Sequence, residues 1–261
     1  MTTPSLPRLM IAPNGPRLSK LDHPALPISL DEIIATAQAC HAEGADGLHL
    51  HLRSERGGHL LDTGLYREAL AELHLKIPEI QIQITTESAG LYGPVHQMSV
   101  ALGVGHKLVM VPLREMLVDN DDRAARAFYE TCAERGIAIQ HSLYEPSELD
   151  LLKELLPQKR FYSQSLQLLY VLGSHTGRVG NKSELSRFVI RASQLGMAPD
   201  WGVCSFGVNE TRCLTIAHRA GGKLRVGFEN NIRHRGGAIA RDNADRVAEV
   251  IAHAMRQPFP A

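Results

Sequence analysis

Eight short runs of apolar or alternating residues recur along the chain, each followed by a longer run with helical spacing. This strict alternation constrains the fold more than any other feature. The strand candidates are residues 9–12, 47–53, 80–85, 107–111, 136–142, 166–171, 201–206 and 224–228. Helical patterns occupy residues 30–43, 65–75, 95–104, 121–135, 147–155, 184–195, 209–220 and 242–255. Strands that alternate with helices pair in parallel, and eight such units favour a closed (β/α)8 TIM barrel over an open doubly wound sheet. A chain of 261 residues, 44% of them hydrophobic, suffices for one such α/β domain spanning 1–261.

Local signals mark the helix ends. Ser29 followed by Glu32 reads as a capping box, and Asn120-Asp121-Asp122 puts acidic groups at a positive helix end. Gly44, Gly136, Gly196 and Gly221-Gly222 stand where helices need a left-handed residue to stop. The one long extra segment is the Pro-rich loop 13–27 after the first strand.

Charge and composition narrow the partners. Lys plus Arg equals Asp plus Glu at 28 each, leaving no basic excess to neutralise a nucleic-acid backbone. No apolar run is long enough to span a bilayer, and the N-terminus lacks a signal-like stretch, so the expectation is a cytoplasmic protein without a membrane partner. Cys40, Cys132, Cys204 and Cys213 are scattered and read as reduced, buried thiols.

Within Gly47-Leu-His-Leu-His-Leu-Arg53, side chains two apart share a face, so His49, His51 and Arg53 are expected to point together into the barrel near its active end. With 13 histidines, one such pair arises easily by chance, yet two imidazoles aimed at one interior point suit a shared metal. The last strand runs into Glu229, Asn230 and Asn231. An acid there is usually a solvated loop charge, but two histidines plus a carboxylate with a vacant position also form a catalytic zinc shell.

Several stretches together resemble the beta-keto acid cleavage enzyme family. They are Ala12-Pro-Asn-Gly15, Asp22-His-Pro-Ala-Leu-Pro27, Gly44-Ala45, His49-x-His51-x-Arg53, Gln83-Ile-Thr-Thr86, Trp201 and Gly221-Gly-x-x-Arg-Val-Gly-Phe-Glu-Asn-Asn231. The resemblance implies a barrel holding Zn2+, or another divalent metal, on His49, His51 and Glu229. It implies a Claisen and retro-Claisen exchange in which a small-molecule β-keto acid and acetyl-CoA, a coenzyme A thioester co-substrate, become acetoacetate and a new acyl-CoA. Arg225 matches the family's strand-eight arginine, and a homotetramer is the implied assembly. The expected substrate-binding residues are Asn14, Arg17, Arg53, Thr85, Thr86 and Arg114.

The chain also departs from that pattern. Where the family's archetype has an aspartate that abstracts a proton, this chain has Asn230, which takes no proton at ordinary pH. Glu87, in a segment where the archetype has glycines, is the replacement candidate for the base, against a surface or salt-bridged acid. Arg17 replaces an acid in the first loop, which suggests an anionic substrate tail, and Arg114 after the fourth strand could serve the same end. Arg233-His234-Arg235 is a candidate for coenzyme A phosphates, His141 for an extra ligand or acid. Ser174-His-Thr-Gly-Arg178-Val-Gly180 lacks the Walker spacing. Two rival readings keep the same metal shell: a hydrolase or aldolase that needs no coenzyme, and a silent ligand-binding homologue.

Overall fold

Alternation along the strands decides which side chains enter the barrel. The structure, a computed structural model, describes residues 4–118 and 122–255. Its strands, in chain order, are β1 (Leu9–Ile11), β2 (Gly47–Leu50), β3 (Leu52–Arg53), β4 (His59–Leu60), β5 (Gln81–Thr85), β6 (Leu108–Pro112), β7 (Ala138–Leu143), β8 (Gln167–Leu172), β9 (Asp200–Ser205) and β10 (Lys223–Val226). Eight of them close a parallel barrel in the order β1-β10-β9-β8-β7-β6-β5-β2, while β3 and β4 form a separate antiparallel pair. The expected TIM barrel is therefore the observed fold, with helices between the strands.

Leu9, Ile11, Leu48, Leu50, Ile82 and Ile84 belong to the large core between barrel and helices. Their neighbours on the opposite face are His49, Gln83 and Gln140, fully or nearly fully buried inside the barrel. The far side of the interior is apolar: Leu169, Val171 and Cys204 cluster there beneath Tyr144 and Phe206. The cavity end of the barrel is thus half polar and half greasy, a distribution suited to holding a small polar ligand in a fixed orientation.

The Ser29–Glu32 capping box is formed at the start of Leu30–Ala42, each side chain accepting from the other's backbone amide. The fifth long helix pattern appears as Asp122–Glu134; Asn120 and Asp121 lie outside the described residues. Gly44, Gly136, Gly196 and Gly221 all adopt the positive φ expected of helix stops. All four cysteines are free and buried.

One expectation needs correction. The second strand does not run on to residue 53: the barrel strand ends at Leu50, and Leu52–Arg53 leaves to pair with His59–Leu60. Arg53 consequently does not join the histidines. Its guanidinium donates to the carbonyls of Gly57 (2.7 Å), Gly15 (2.6 Å) and Leu18 (2.7 Å), tying the first loop to the hairpin. Arg114 lies on a short turn, Leu113–Met116, that the periodicity does not announce. It pairs with Glu148 at 3.0 Å and lies over the Tyr144 ring at 3.9 Å.

Candidate metal centre and cleft

The last barrel strand stops at Val226 because Gly227 takes φ +142°, and a Cβ there would lie 2.3 Å from the Ala12 carbonyl oxygen. The chain turns so that Glu229 comes to lie over the mouth, its amide donating to the Ala12 carbonyl at 3.2 Å. Gly15, at φ +57°, makes room from the other side: a Cβ there would sit 2.5 Å from Glu229 Cγ. Two glycines that no side chain can replace therefore fix the carboxylate's approach.

His49, His51 and Glu229 converge, with one ligand atom from each inside a 4.8 Å group. The two Nε2 atoms are 3.2 Å apart, and each lies 3.7 Å from Glu229 Oε2. Ligand atoms around a tetrahedral zinc are about 3.3 Å apart, so the spacing fits one small cation. The bonding pattern fits too. Glu229 Oε1 accepts from Arg225 Nη2 at 3.1 Å, while buried Oε2 has no partner. Burial pushes the Glu229 carboxyl up to about 7 despite Arg225 beside it, and burial likewise drives both imidazoles to their neutral, metal-binding form.

The tautomer of His49 follows from its neighbours. Gln140 Nε2 donates to the Leu168 carbonyl (3.3 Å), which can only accept. Gln140 Oε1 then accepts from Gln83 Nε2 (2.8 Å), leaving Gln83 Oε1 to accept from His49 Nδ1 (2.8 Å). The proton is therefore on Nδ1, and the Nε2 lone pair faces the shared point. Gln83→Leu should weaken metal affinity by about 10–100-fold with the barrel intact. Equilibrium dialysis against zinc and cobalt reads this directly; unchanged affinity would remove the relay from the site.

Around this group stand the remaining expected residues. Glu87 is buried, with Oε1 accepting from Arg17 Nη1 at 2.6 Å and Oε2 3.8 Å from His51 Nε2. The acid and the base of the first and third loops, read separately from sequence, are thus one ion pair. Arg225 is buried with Nε and Nη1 unpartnered and Nη2 shared between Glu229 and Cys204 Sγ (3.3 Å). Burial alone would lower its pKa, but Cys204 and Glu229, the largest opposing influences, raise it and keep it a cation.

Asn230 has both side-chain atoms buried without partners, and Asn14 keeps a free Oδ1 while its Nδ2 donates to the Pro27 and His51 carbonyls. Thr85 Oγ1 accepts the Glu87 amide at 3.0 Å, leaving its hydroxyl hydrogen available. Thr86 instead donates to the Met110 carbonyl at 3.3 Å.

A cleft of ≈ 420 Å³ opens above this centre between Asn14–Leu18, the 174–179 loop and Phe228–Arg233. Arg17, Arg178 and Arg233 line it, but Arg17 is paired with Glu87, and Arg178 with Glu184. Among the described residues Arg233 Nη1 donates only to the Gly237 carbonyl, at 3.0 Å. The basic trio after the last strand is divided: His234 is bound by Asp245 (2.9 Å) and Glu249, and of the three only Arg233 lines the cleft.

His141 is not part of the centre, because Gln140 takes the inward position on β7 and His141 faces the helices, against Tyr129. Burial pushes its pKa down to about 3, so the unfolded chain binds a proton there that the folded one refuses. Its contribution to stability is therefore present above pH ~6.5 and lost as pH falls towards ~3. His141→Leu should flatten the unfolding curve against pH in that window; an unaltered slope would contradict the burial argument.

Sequence reasoning missed Gln83 and Gln140 as supports, and Cys204 and Tyr144 beside the guanidinium. For Gln83, Gln140 and Cys204 the signal was a polar residue at an inward strand position, readable once the barrel is assumed; Tyr144 follows the end of β7.

Comparison with known proteins gives a consistent result. A sequence model of the beta-keto acid cleavage enzyme family matches residues 8–258. The 3-keto-5-aminohexanoate cleavage enzyme of Fusobacterium nucleatum is 24% identical, over 91% of this chain and 87% of its own length. The 3-oxoadipate:acetyl-CoA acetyltransferase of Cupriavidus necator is 23% identical, over 97% and 89%. Among solved structures, the ternary complex of ObcA with C4-CoA adduct and oxalate aligns with TM-score 0.64 at 12% identity. That alignment covers 89% of this chain but 64% of ObcA, and it speaks for the fold.

Proposed function

The chain belongs to the beta-keto acid cleavage enzyme family, and from that premise we propose that it exchanges acyl groups between a β-keto acid and acetyl-CoA, using a divalent metal, zinc foremost, on His49, His51 and Glu229. The observation that carries this reading is the orphaned Glu229 Oε2 placed 3.7 Å from both Nε2 atoms. A bound divalent cation would polarise the keto and carboxylate oxygens of the substrate.

The chain's own groups divide the remaining work. Arg225, with two free donors in a dry site, would stabilise negative charge as the carbon between the two carbonyls loses its proton. Asn230 cannot accept that proton, so its free amide is assigned to orienting the substrate, with Asn14 Oδ1 and the Thr85 hydroxyl. Glu87 is the base we assign, held in place by Arg17 beside His51. Glu87→Gln should lower kcat by about 10²–10⁴-fold with metal content unchanged; full activity in that variant would assign proton transfer elsewhere.

The substrate we favour carries a second carboxylate. Arg233 is the cleft arginine with no acidic partner among the described residues, and a named relative acts on 3-oxoadipate, itself a diacid. A panel of keto acids tests this: faster turnover of amine-bearing chains than of diacids would refute it. Incubation with labelled acetyl-CoA tests the reaction, label in acetoacetate being the expected result. Loss of keto acid without coenzyme would point to a hydrolase or aldolase, and metal occupancy without turnover to a silent binder. A cytoplasmic homotetramer completes the proposal, and sedimentation velocity reads the assembly.

A further inference from the structure

We propose that a slot on the outer face of β7, at the end of the barrel away from the cleft, binds a small monocarboxylic acid with an apolar body. Gln140 faces the interior, so Ile139 and His141 face outward, where helix Asp122–Glu134 and the 156–166 segment leave a cavity of ≈ 480 Å³. Gly136 and Ala138 line it at the start of β7, and Leu166 just before β8. These are the N-terminal ends of the strands, whereas Glu87, Glu229 and Asn230 follow C-terminal ends. The two sites therefore do not overlap.

The lining specifies the ligand's chemistry. Lys159 and Arg160 are its charged residues, and no acid accompanies them. Arg160 is steadied by the Tyr129 carbonyl at 3.1 Å, and Lys159 has no ion-pair partner among the described residues. Deeper in, the Tyr129 and His141 rings meet with centroids 4.9 Å apart and planes tilted by 58°, and both the Tyr129 hydroxyl and His141 Nδ1 are buried with no partner. Unpaired buried polar groups are costly, and two in one cavity call for an acceptor. A carboxylate supplies it, accepting from the phenol and from a neutral imidazole with its hydrogen on Nδ1, while the two cations balance its charge. Ile137, Ile139, Leu156 and Leu166 offer the apolar body its wall. The volume is that of a small-molecule site, well beyond the room one water needs.

Calorimetric titration of the intact protein with hexanoate and benzoate, against hexanamide and benzamide, tests the proposal. Saturable binding of one acid per chain, weakened about 10-fold in Lys159→Gln and in Tyr129→Phe, is the expected result. Tyr129→Phe also removes an unpaired hydroxyl, so its ligand-free Tm should hold or rise, which separates lost binding from misfolding. Wild-type protein treated with a chelator should bind the acid as untreated protein does. No saturable binding, equal binding of the amides, retention in both variants or loss on chelation would each overturn the proposal. So would crystals grown with 4-bromobenzoate that show only water, or a neighbouring chain's side chain, in the slot.

Discussion

His49→Ala and Glu229→Ala are each expected to lose the bound metal and to lower turnover by at least about 10³-fold. The magnitude follows from several kcal/mol of charge stabilisation withdrawn from the transition state, at 1.36 kcal/mol per decade. Both residues are needed by the proposed metal centre, since Oε2 of the carboxylate lies 3.7 Å from each imidazole Nε2 and no other described carboxylate sits with them in the same 4.8 Å group. The two variants differ otherwise. Removing Glu229 also takes from buried Arg225 its one carboxylate contact among the described residues, at 3.1 Å, so Glu229→Ala should unfold more readily than His49→Ala. Metal analysis beside denaturant titration separates these effects. Full metal occupancy in His49→Ala would dismantle the centre as described.

Arg246→Met is expected to cost about 3–5 kcal/mol of stability, because it strands a wholly buried acid. Arg246 and Glu210 are both 0% exposed and meet at 2.6 Å. Burial still pushes the Glu210 carboxyl up to about 7, against the pull of Arg246. Glu210 Oε2 also accepts from Asn231 Nδ2 at 3.2 Å, and Asn243 accepts the Phe228 amide at 2.9 Å and donates to the Pro13 carbonyl at 3.0 Å. The pair thus braces the turn that carries Glu229. Arg246→Met should therefore weaken metal binding as well as lower the unfolding midpoint, and adding Glu210→Gln should recover part of the stability by removing the stranded charge. A loss below about 1 kcal/mol would show that the cluster tolerates the empty position.

Much of this was legible in the chain. Strand and helix periods gave the barrel because a fold of eight alternating units has few ways to bury eight apolar strand faces. His49 and His51 were readable together because the two-residue period of a strand holds wherever the strand lasts. Arg53 shows the limit of that rule: the same period misplaced it, since nothing local reveals that β2 ends at Leu50 and the chain peels away into a hairpin.

What the chain order alone determined is the set of chemical groups and the strand on which each stands: two imidazoles on the second barrel strand, an arginine on the last, and a glutamate and an asparagine just after it. Only the tertiary structure decided which of them meet. Arg17 with Glu87, and His49 through Gln83 to Gln140, are pairs separated by tens of residues. Their meeting depends on barrel closure and loop paths, which are set by packing over the whole molecule and leave no trace in any local pattern.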